Sequence, residues 1–154
     1  MSKVTIHRLV DEILRNAATS HPDVQQYGFG ENYELSPDGG SVPPTVWVDL
    51  PINSSSQFTN GYPSEREYTI TIFVIDKSME GETDELAILS KTDLIAAWIA
   101  TYLLQNHEDD LTVIDVQTST KTDYHSDDWT GVLMELKIRT EWPIEGCDPK
   151  AAVV

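Results

Sequence analysis

The sequence contains a single cysteine, Cys147, and no long apolar segment. One thiol cannot form an intramolecular disulfide, and it excludes a zinc site built from several cysteines. The longest apolar run, residues 94–104, is interrupted by Thr101 and is about half of the roughly 20 residues that span a bilayer. The N-terminus lacks the apolar stretch of a signal peptide. We therefore expect a soluble intracellular protein with no membrane partner.

Basic residues are also scarce, because 10 Lys and Arg face 26 Asp and Glu and leave a net charge of −16. Proteins bind nucleic acids mainly through cations that neutralise phosphates, so most of this surface should repel DNA. An acidic, solvated surface is the simplest explanation of the charge. Two more specific explanations are a DNA mimic and a passage through which DNA slides without sticking.

The sequence shows no catalytic or cofactor-binding signature. Gly28 and Gly30 lack the third glycine and the following helix of a dinucleotide-binding loop, and neither a Walker lysine nor a GxSxG motif is present. The strongest metal candidates are four polar residues of one turn, which lack the glycine and the closing glutamate of an EF-hand: Asp123, His125, Asp127 and Asp128. A second polar cluster is His107, Glu108, Asp109 and Asp110. Solvated turns explain both clusters, so we predict no enzyme, no cofactor and no metal; a metal-dependent enzyme is the least favoured alternative.

Hydrophobic periodicity predicts two helices and about five strands. Apolar residues at helical spacing from Ile6 to Ala17 predict an amphipathic helix over residues 5–18 with these residues in one buried stripe; the helix ends at Pro22. A second helix, capped by Thr83, extends to residue 105 and is apolar nearly all round in its second half. Alternation predicts strands at residues 27–35, 45–50, 65–76, 111–120 and 132–142, while residues 53–64 read as a polar loop.

This order of elements predicts one α+β domain over residues 1–154. Two helices pack on one face of a mainly antiparallel sheet of about five strands, in the order α-β-β-β-α-β-β. Residues 143–154 form an irregular C-terminal tail.

Several apolar side chains point away from the predicted core. In the strand 65–76, Tyr68 and Ile70 lie on one face, whereas Phe73 and Ile75 lie on the other. We expect helix 1 or a neighbouring chain to cover this second face, and we interpret the surplus as subunit contact surface. The predicted interface comprises the apolar residues Trp47, Phe73, Ile75, Ile95, Ile99 and Trp129.

The layout has three distinctive stretches after the N-terminal helix: TVWVDLPI, EYTITIFVIDKSMEGETDELAILSKTDLIAAWI and DDWTGVLMELKIRTEWPIEGCD. In this layout the chain resembles the small head–tail connector and tail-terminator proteins of tailed bacteriophages. These proteins are not enzymes. They form homo-oligomeric rings, commonly of six or twelve subunits, which stack between the portal and the tail and let DNA pass through the lumen.

The resemblance implies a structural virion protein located in the neck or tail region, and in the host cytoplasm during assembly. Its partners would be copies of itself and adjacent portal, connector or tail proteins, with no specific DNA binding. In such a ring of acidic subunits, Arg66, Lys137 and Arg139 would pair charges across subunits. The alternative is an acidic inhibitor, or DNA mimic, that binds a nucleic-acid-binding protein.

Overall fold

Two helices and a five-stranded mixed sheet make up the part of the chain that the computed structural model describes. The described residues are 4–31, 43–77, 85–121 and 129–142, with only the backbone described at the four terminal positions 77, 85, 121 and 129. The α+β class, the two helices and the five strands are confirmed. The predicted cap Thr83, the turn residues 123–128 and the tail 143–154 lie outside the described residues.

The first helix, α1, has three consecutive segments, and the second helix, α2, is continuous. The segments of α1 are Ile6–Arg8, a π-helical Leu9–Leu14 and Arg15–Thr19; α2 is Glu85–Asn106. The strands are β1 Gln26–Gly30, β2 Thr45–Thr59, β3 Tyr62–Lys77, β4 Thr112–Lys121 and β5 Trp129–Glu141. They are arranged in the order β1-β2-β3-β5-β4. Because β1 pairs parallel to β2 while the other neighbours are antiparallel, the sheet is mixed.

A side-chain N-cap and a pair of buried apolar residues fix the start of α1. Thr5 Oγ1 accepts a hydrogen bond from the backbone N–H of Arg8 at 3.1 Å. Val4 before the cap and Leu9 in the helix are both buried in the core, as a hydrophobic staple requires. Ile6 was predicted in the buried stripe but is exposed. The π segment explains the error, because its wider turns rotate the residues before it relative to those after it.

Both helices pack on the same face of the sheet. α1 buries the pairs Leu9–Val10, Ile13–Leu14 and Ala17–Ala18 against this face. The strands contribute alternate residues: Val46 and Val48 from β2, Tyr68, Ile70, Ile72 and Val74 from β3, and Val132, Met134, Leu136 and Ile138 from β5. The predicted face of β3 with Tyr68 and Ile70 is thus the one that faces the core.

The opposite face of the sheet carries a smaller apolar cluster around Phe73 and Ile75. These side chains are only 4% and 1% exposed in the single chain, and Trp47 and Leu133 pack against them. The expectation that helix 1 or a neighbouring chain covers this cluster is therefore wrong: both helices lie on the other face, and the cluster is already buried.

The indole of Trp47 explains a glycine within β1. Gly28 is paired with Trp47, and a Cβ atom at Gly28 would lie 2.7 Å from the indole ring. The indole Nε1 donates a hydrogen bond to the carbonyl of Gly30 at 3.3 Å. Gly28 therefore leaves the space in which the ring lies across the edge strand.

The predicted polar loop over residues 53–64 is instead the end of a long hairpin. β2 continues to Thr59, β3 begins at Tyr62, and the two strands stay paired to the turn. The turn residues Asn60 and Gly61 have φ angles of 55° and 83°, as a type I′ turn requires. Residues 53–62 are exposed, so neither face of this segment needs the apolar alternation by which strands are predicted.

Candidate protein-interaction surface

A stripe of apolar side chains along α2 faces solvent. Leu94, Trp98 and Leu104 are 66%, 43% and 55% exposed. Together with the exposed residues Ala97 and Thr101 they follow the spacing i, i+3, i+4, i+7, i+10, which places them on one side of the helix. We call these five residues the outer face of α2.

The side of α2 that faces the sheet is apolar as well. Ile95, Ile99 and Leu103 are buried in the core, as is Thr92, whose hydroxyl donates to the carbonyl of Ile88 at 2.9 Å. The prediction that Ile95 and Ile99 point away from the core is therefore wrong. In a helix that is apolar all round, periodicity does not show which side faces the sheet.

Contacts with the end of α1 hold the Trp98 side chain in place. Its indole Nε1 donates a hydrogen bond to Ser20 Oγ at 2.9 Å, and its ring meets the His21 ring edge to face with centroids 5.1 Å apart. Tryptophan is enriched among the residues that dominate binding energy at interfaces. A ring already held in one orientation loses little conformational entropy when a partner covers it.

No residue between Leu94 and Asn106 carries a charge. The nearby Lys91 forms an ion pair with Asp76, with Nζ and Oδ2 3.3 Å apart. Depletion of charge and enrichment of aromatic residues distinguish interface cores from ordinary surface. The outer face of α2 therefore has the composition of a protein contact surface, on a chain whose net charge is −16.

Two of the basic residues predicted to pair across subunits have partners within the chain. On the sheet face opposite the helices, Arg139 Nε lies 3.2 Å from Glu65 Oε2, and Arg139 Nη2 lies 3.7 Å from Glu67 Oε2. Lys137 Nζ lies 3.8 Å from Glu67 Oε1. These cross-strand ion pairs neutralise the cations within one sheet.

Arg66, the third predicted cation, lies on the helix side of β3 near the end of the sheet. Its guanidinium carbon is 4.6 Å from the centroid of the Trp142 ring and 5.9 Å from that of Tyr68. Cation–π contacts of this kind stabilise a side chain within the subunit. The intrachain contacts of Arg66 remove the reason for assigning it to a subunit contact.

The predicted interface residues are thus dispersed over the fold. Phe73 and Ile75 lie in one buried cluster, and Ile95 and Ile99 lie in the main core. Trp47 is half-buried across β1, and the side chain of Trp129 lies outside the described residues. Sequence reasoning missed the three large residues of the outer face: Leu94, Trp98 and Leu104. The absence of charge over residues 94–106 was a signal that this part of the helix is covered on more than one side, but it did not distinguish these three residues from the buried ones.

The polar cluster after α2 forms a structural contact between helices. His107 Nδ1 lies 3.1 Å from Asp110 Oδ2, and Arg8 Nη2 of α1 lies 3.4 Å from the same oxygen. Within the described residues, no group of three or more His, Cys, Asp or Glu side chains is arranged to hold a metal ion. The candidates Asp123, His125, Asp127 and Asp128 lie outside the described residues.

No protein-family model matches the chain, and no curated protein matches it in sequence.

By length and composition alone, the helical segment Leu86–Asn106 is long and apolar enough to cross a membrane, and 33% of its most apolar window is buried within the fold. Because Ile95, Ile99 and Leu103 pack into the core beneath α2, we interpret α2 as a core helix of this fold.

Proposed function

We propose that the chain is a structural subunit of a homo-oligomeric ring, of the type found in the head–tail connectors or tail terminators of tailed bacteriophages. The observation that carries this proposal is the outer face of α2, where Leu94, Trp98 and Leu104 remain exposed after the subunit has folded. An uncharged apolar stripe on an otherwise acidic chain is stabilised when a partner subunit covers it.

A second apolar surface supports head-to-tail assembly. A depression between α1 and the β1–β2 edge is lined by four apolar residues, Ile6, Val10, Phe29 and Leu50, and by His7 and Asp11. Ile6 and Phe29 are partly exposed there. A subunit with two different contact surfaces assembles head to tail, and such contacts form a ring when the rotation between subunits closes.

The charge supports a lumen that DNA crosses without binding. Six subunits would carry 6 × 16, or 96, excess negative charges. Arg139, Lys137 and Arg66 have partners within the chain, so they are poorly placed to neutralise phosphates. Because no phosphates are neutralised, contact with the lumen releases no counterions from the DNA, and the DNA is not retained.

The proposed partners are copies of this chain and the portal, connector or tail proteins that lie above and below the ring. The proposed location is the neck or tail region of the virion, with assembly in the host cytoplasm. In this role the protein is not an enzyme and needs no cofactor.

Sedimentation velocity over a range of concentrations, with negative-stain electron microscopy, tests the proposal. We expect a concentration-dependent oligomer that is visible as a ring, commonly of six or twelve subunits. Filter binding should show no retention of double-stranded DNA at physiological salt. A strict monomer at high concentration would contradict ring assembly.

The alternative is an acidic inhibitor that mimics DNA, and one surface favours it. Glu65, Glu108, Asp109, Asp110 and Glu141 line a depression at one end of the sheet, although Arg139 also lines it. A mimic should remain monomeric and should capture a basic DNA-binding protein at low salt. The sedimentation experiment therefore separates the two functions.

A further inference from the structure

We propose that neighbouring subunits join their sheets edge to edge, with residues 116–121 of β4 pairing antiparallel to residues 52–59 of β2 in the next copy. This inference rests on the proposed ring and names the contact that builds it. It is independent of the outer face of α2, which lies on the helix side of the sheet.

The two strand segments lie at opposite edges of the sheet. β1 pairs with β2 only from Thr45 to Asp49, so within the described residues the rest of β2 has β3 as its sole strand neighbour. β4 likewise pairs only with β5 in that part of the chain. Each segment therefore presents backbone N–H and C=O groups that are able to pair with another strand.

These edges lack most of the features by which proteins prevent strand pairing. Residues 52–59 (INSSSQFT) contain no proline and no charge. In β4, the bulge at Ile114 and the charge of Asp115 interrupt the first half, whereas residues 116–120 (VQTST) are uncharged and rich in β-branched side chains. Long edges without proline or charge act as templates for pairing.

The directions of the strands allow the pairing to repeat from copy to copy. β2, β3, β5 and β4 are successively antiparallel, so β4 runs opposite to β2 within one subunit. A ring axis that lies roughly along the strands preserves these directions, so β4 of one copy meets β2 of the next in the antiparallel sense. Within one subunit, residues 117–121 lie level with Thr45–Asp49, so the proposed pairing is staggered along the strands. A closed ring therefore requires the strands to tilt relative to its axis, as they do in a β-barrel.

Charge favours a second copy as the occupant of these edges. Subunits that each carry −16 repel one another over most of their surfaces. The pairing segments carry no net negative charge, because the only charged residue among them is Lys121 at the end of β4. Close approach of two copies therefore costs least along these edges.

Hydrogen exchange on the native chain tests the pairing. At concentrations at which the ring forms, we expect amides of residues 52–59 and 116–121 to exchange at least about tenfold more slowly than in dilute monomer. The exchange of β1, residues 26–30, should stay unchanged. If a ring forms and both segments exchange as in the monomer, edge pairing is wrong while the proposed function stands. If no oligomer forms at any concentration, both fall.

Mixtures of single-cysteine variants, each on a Cys147→Ser background, give a sharper test. Asn53, Ser55 and Gln57 share a sheet face with Ser119, because their partners Thr69, Glu67, Glu65 and Leu133 all lie opposite the helices. Ser54 and Ser56 point to the helix face. Antiparallel partners lie about 4.5–5.5 Å apart at Cα, within the range that a disulfide bridges.

We expect oxidation of Ser119→Cys mixed with one of Asn53→Cys, Ser55→Cys or Gln57→Cys to yield cross-linked dimers. The matched controls Ser54→Cys and Ser56→Cys should yield few. Equal yields across residues 53–57, or no dimer from any mixture that still forms rings, would overturn the pairing.

Discussion

Replacing Leu94 with glutamate tests the outer face of α2 most directly. The Leu94 side chain is 66% exposed in the subunit, so the change alters the surface and leaves the core intact. We expect Leu94→Glu to fold normally and to associate more weakly. The adjacent Ile95 is fully buried, so Ile95→Glu should fail to fold.

The size of the effect follows from the area that a partner would cover. Full burial of a leucine side chain stabilises by about 1.5–3 kcal/mol, so covering the exposed two-thirds of Leu94 contributes about 1–2 kcal/mol at each contact. Its loss weakens each contact by a factor of about 5–30. Desolvation of the introduced carboxylate adds to this loss.

Sedimentation velocity over a concentration series measures the association, and circular dichroism with urea denaturation measures folding. Asn16→Glu is a matched control, since it adds the same charge at an exposed position of α1. An assembly midpoint for Leu94→Glu equal to that of Asn16→Glu, with both variants folded, would refute the assignment of the outer face as an interface.

Three further perturbations probe other parts of the structure. Raising the salt concentration should promote assembly in light scattering, because it screens repulsion between subunits of charge −16; weaker assembly would contradict this. In urea titrations, Gly28→Ala should lower the free energy of unfolding by about 1–3 kcal/mol, because the added Cβ meets only a side chain. Gly131→Ala should lower it far more, because its Cβ would lie 2.0 Å from the backbone carbonyl oxygen of Val74. Burial raises the pKa of Tyr27, whose hydroxyl donates to the Val10 carbonyl, so the folded state keeps its proton when the unfolded chain ionises above about pH 10. Tyr27→Phe loses this hydrogen bond and should cost about 1 kcal/mol of unfolding free energy at neutral pH. Because the raised pKa destabilises only the tyrosine-containing chain above about pH 10, the difference between the two chains in urea titrations should shrink there. An unchanged difference would contradict the raised pKa.

The strands that alternate between buried and exposed faces were predictable from the sequence. Met134, Leu136 and Ile138 of β5 are buried, and Glu135 and Lys137 between them are not, because a strand with one buried face has period two. Parallel pairing of β1 was not predictable, since short apolar patterns do not show which strand lies beside them. The hairpin over residues 53–64 was missed because exposed strands need no apolar residues.

The outer face of α2 was beyond prediction for a different reason. Leu94 and Ile95 are adjacent, both apolar and equally suited to a core, and only the position of α2 on the sheet assigns one to solvent. The prediction that apolar surface remains after folding named the opposite side of the helix. It also included Phe73, whose burial within the subunit does not follow from strand alternation alone.

The distribution of charge links two of the proposed contact surfaces, the edge of β2 and the outer face of α2. Charged residues make up 23% of the chain, so by composition residues 51–64 would hold 0.23 × 14, or about 3, and residues 94–106 would hold 0.23 × 13, or about 3. Both segments hold none. One includes the β2 edge, and the other includes the outer face of α2. Repulsion between copies falls steeply with distance in salt, so only surfaces in close contact need to lack charge. A chain that was acidic only for solubility would have no reason to leave these two segments neutral, whereas a subunit that must meet copies of itself has one.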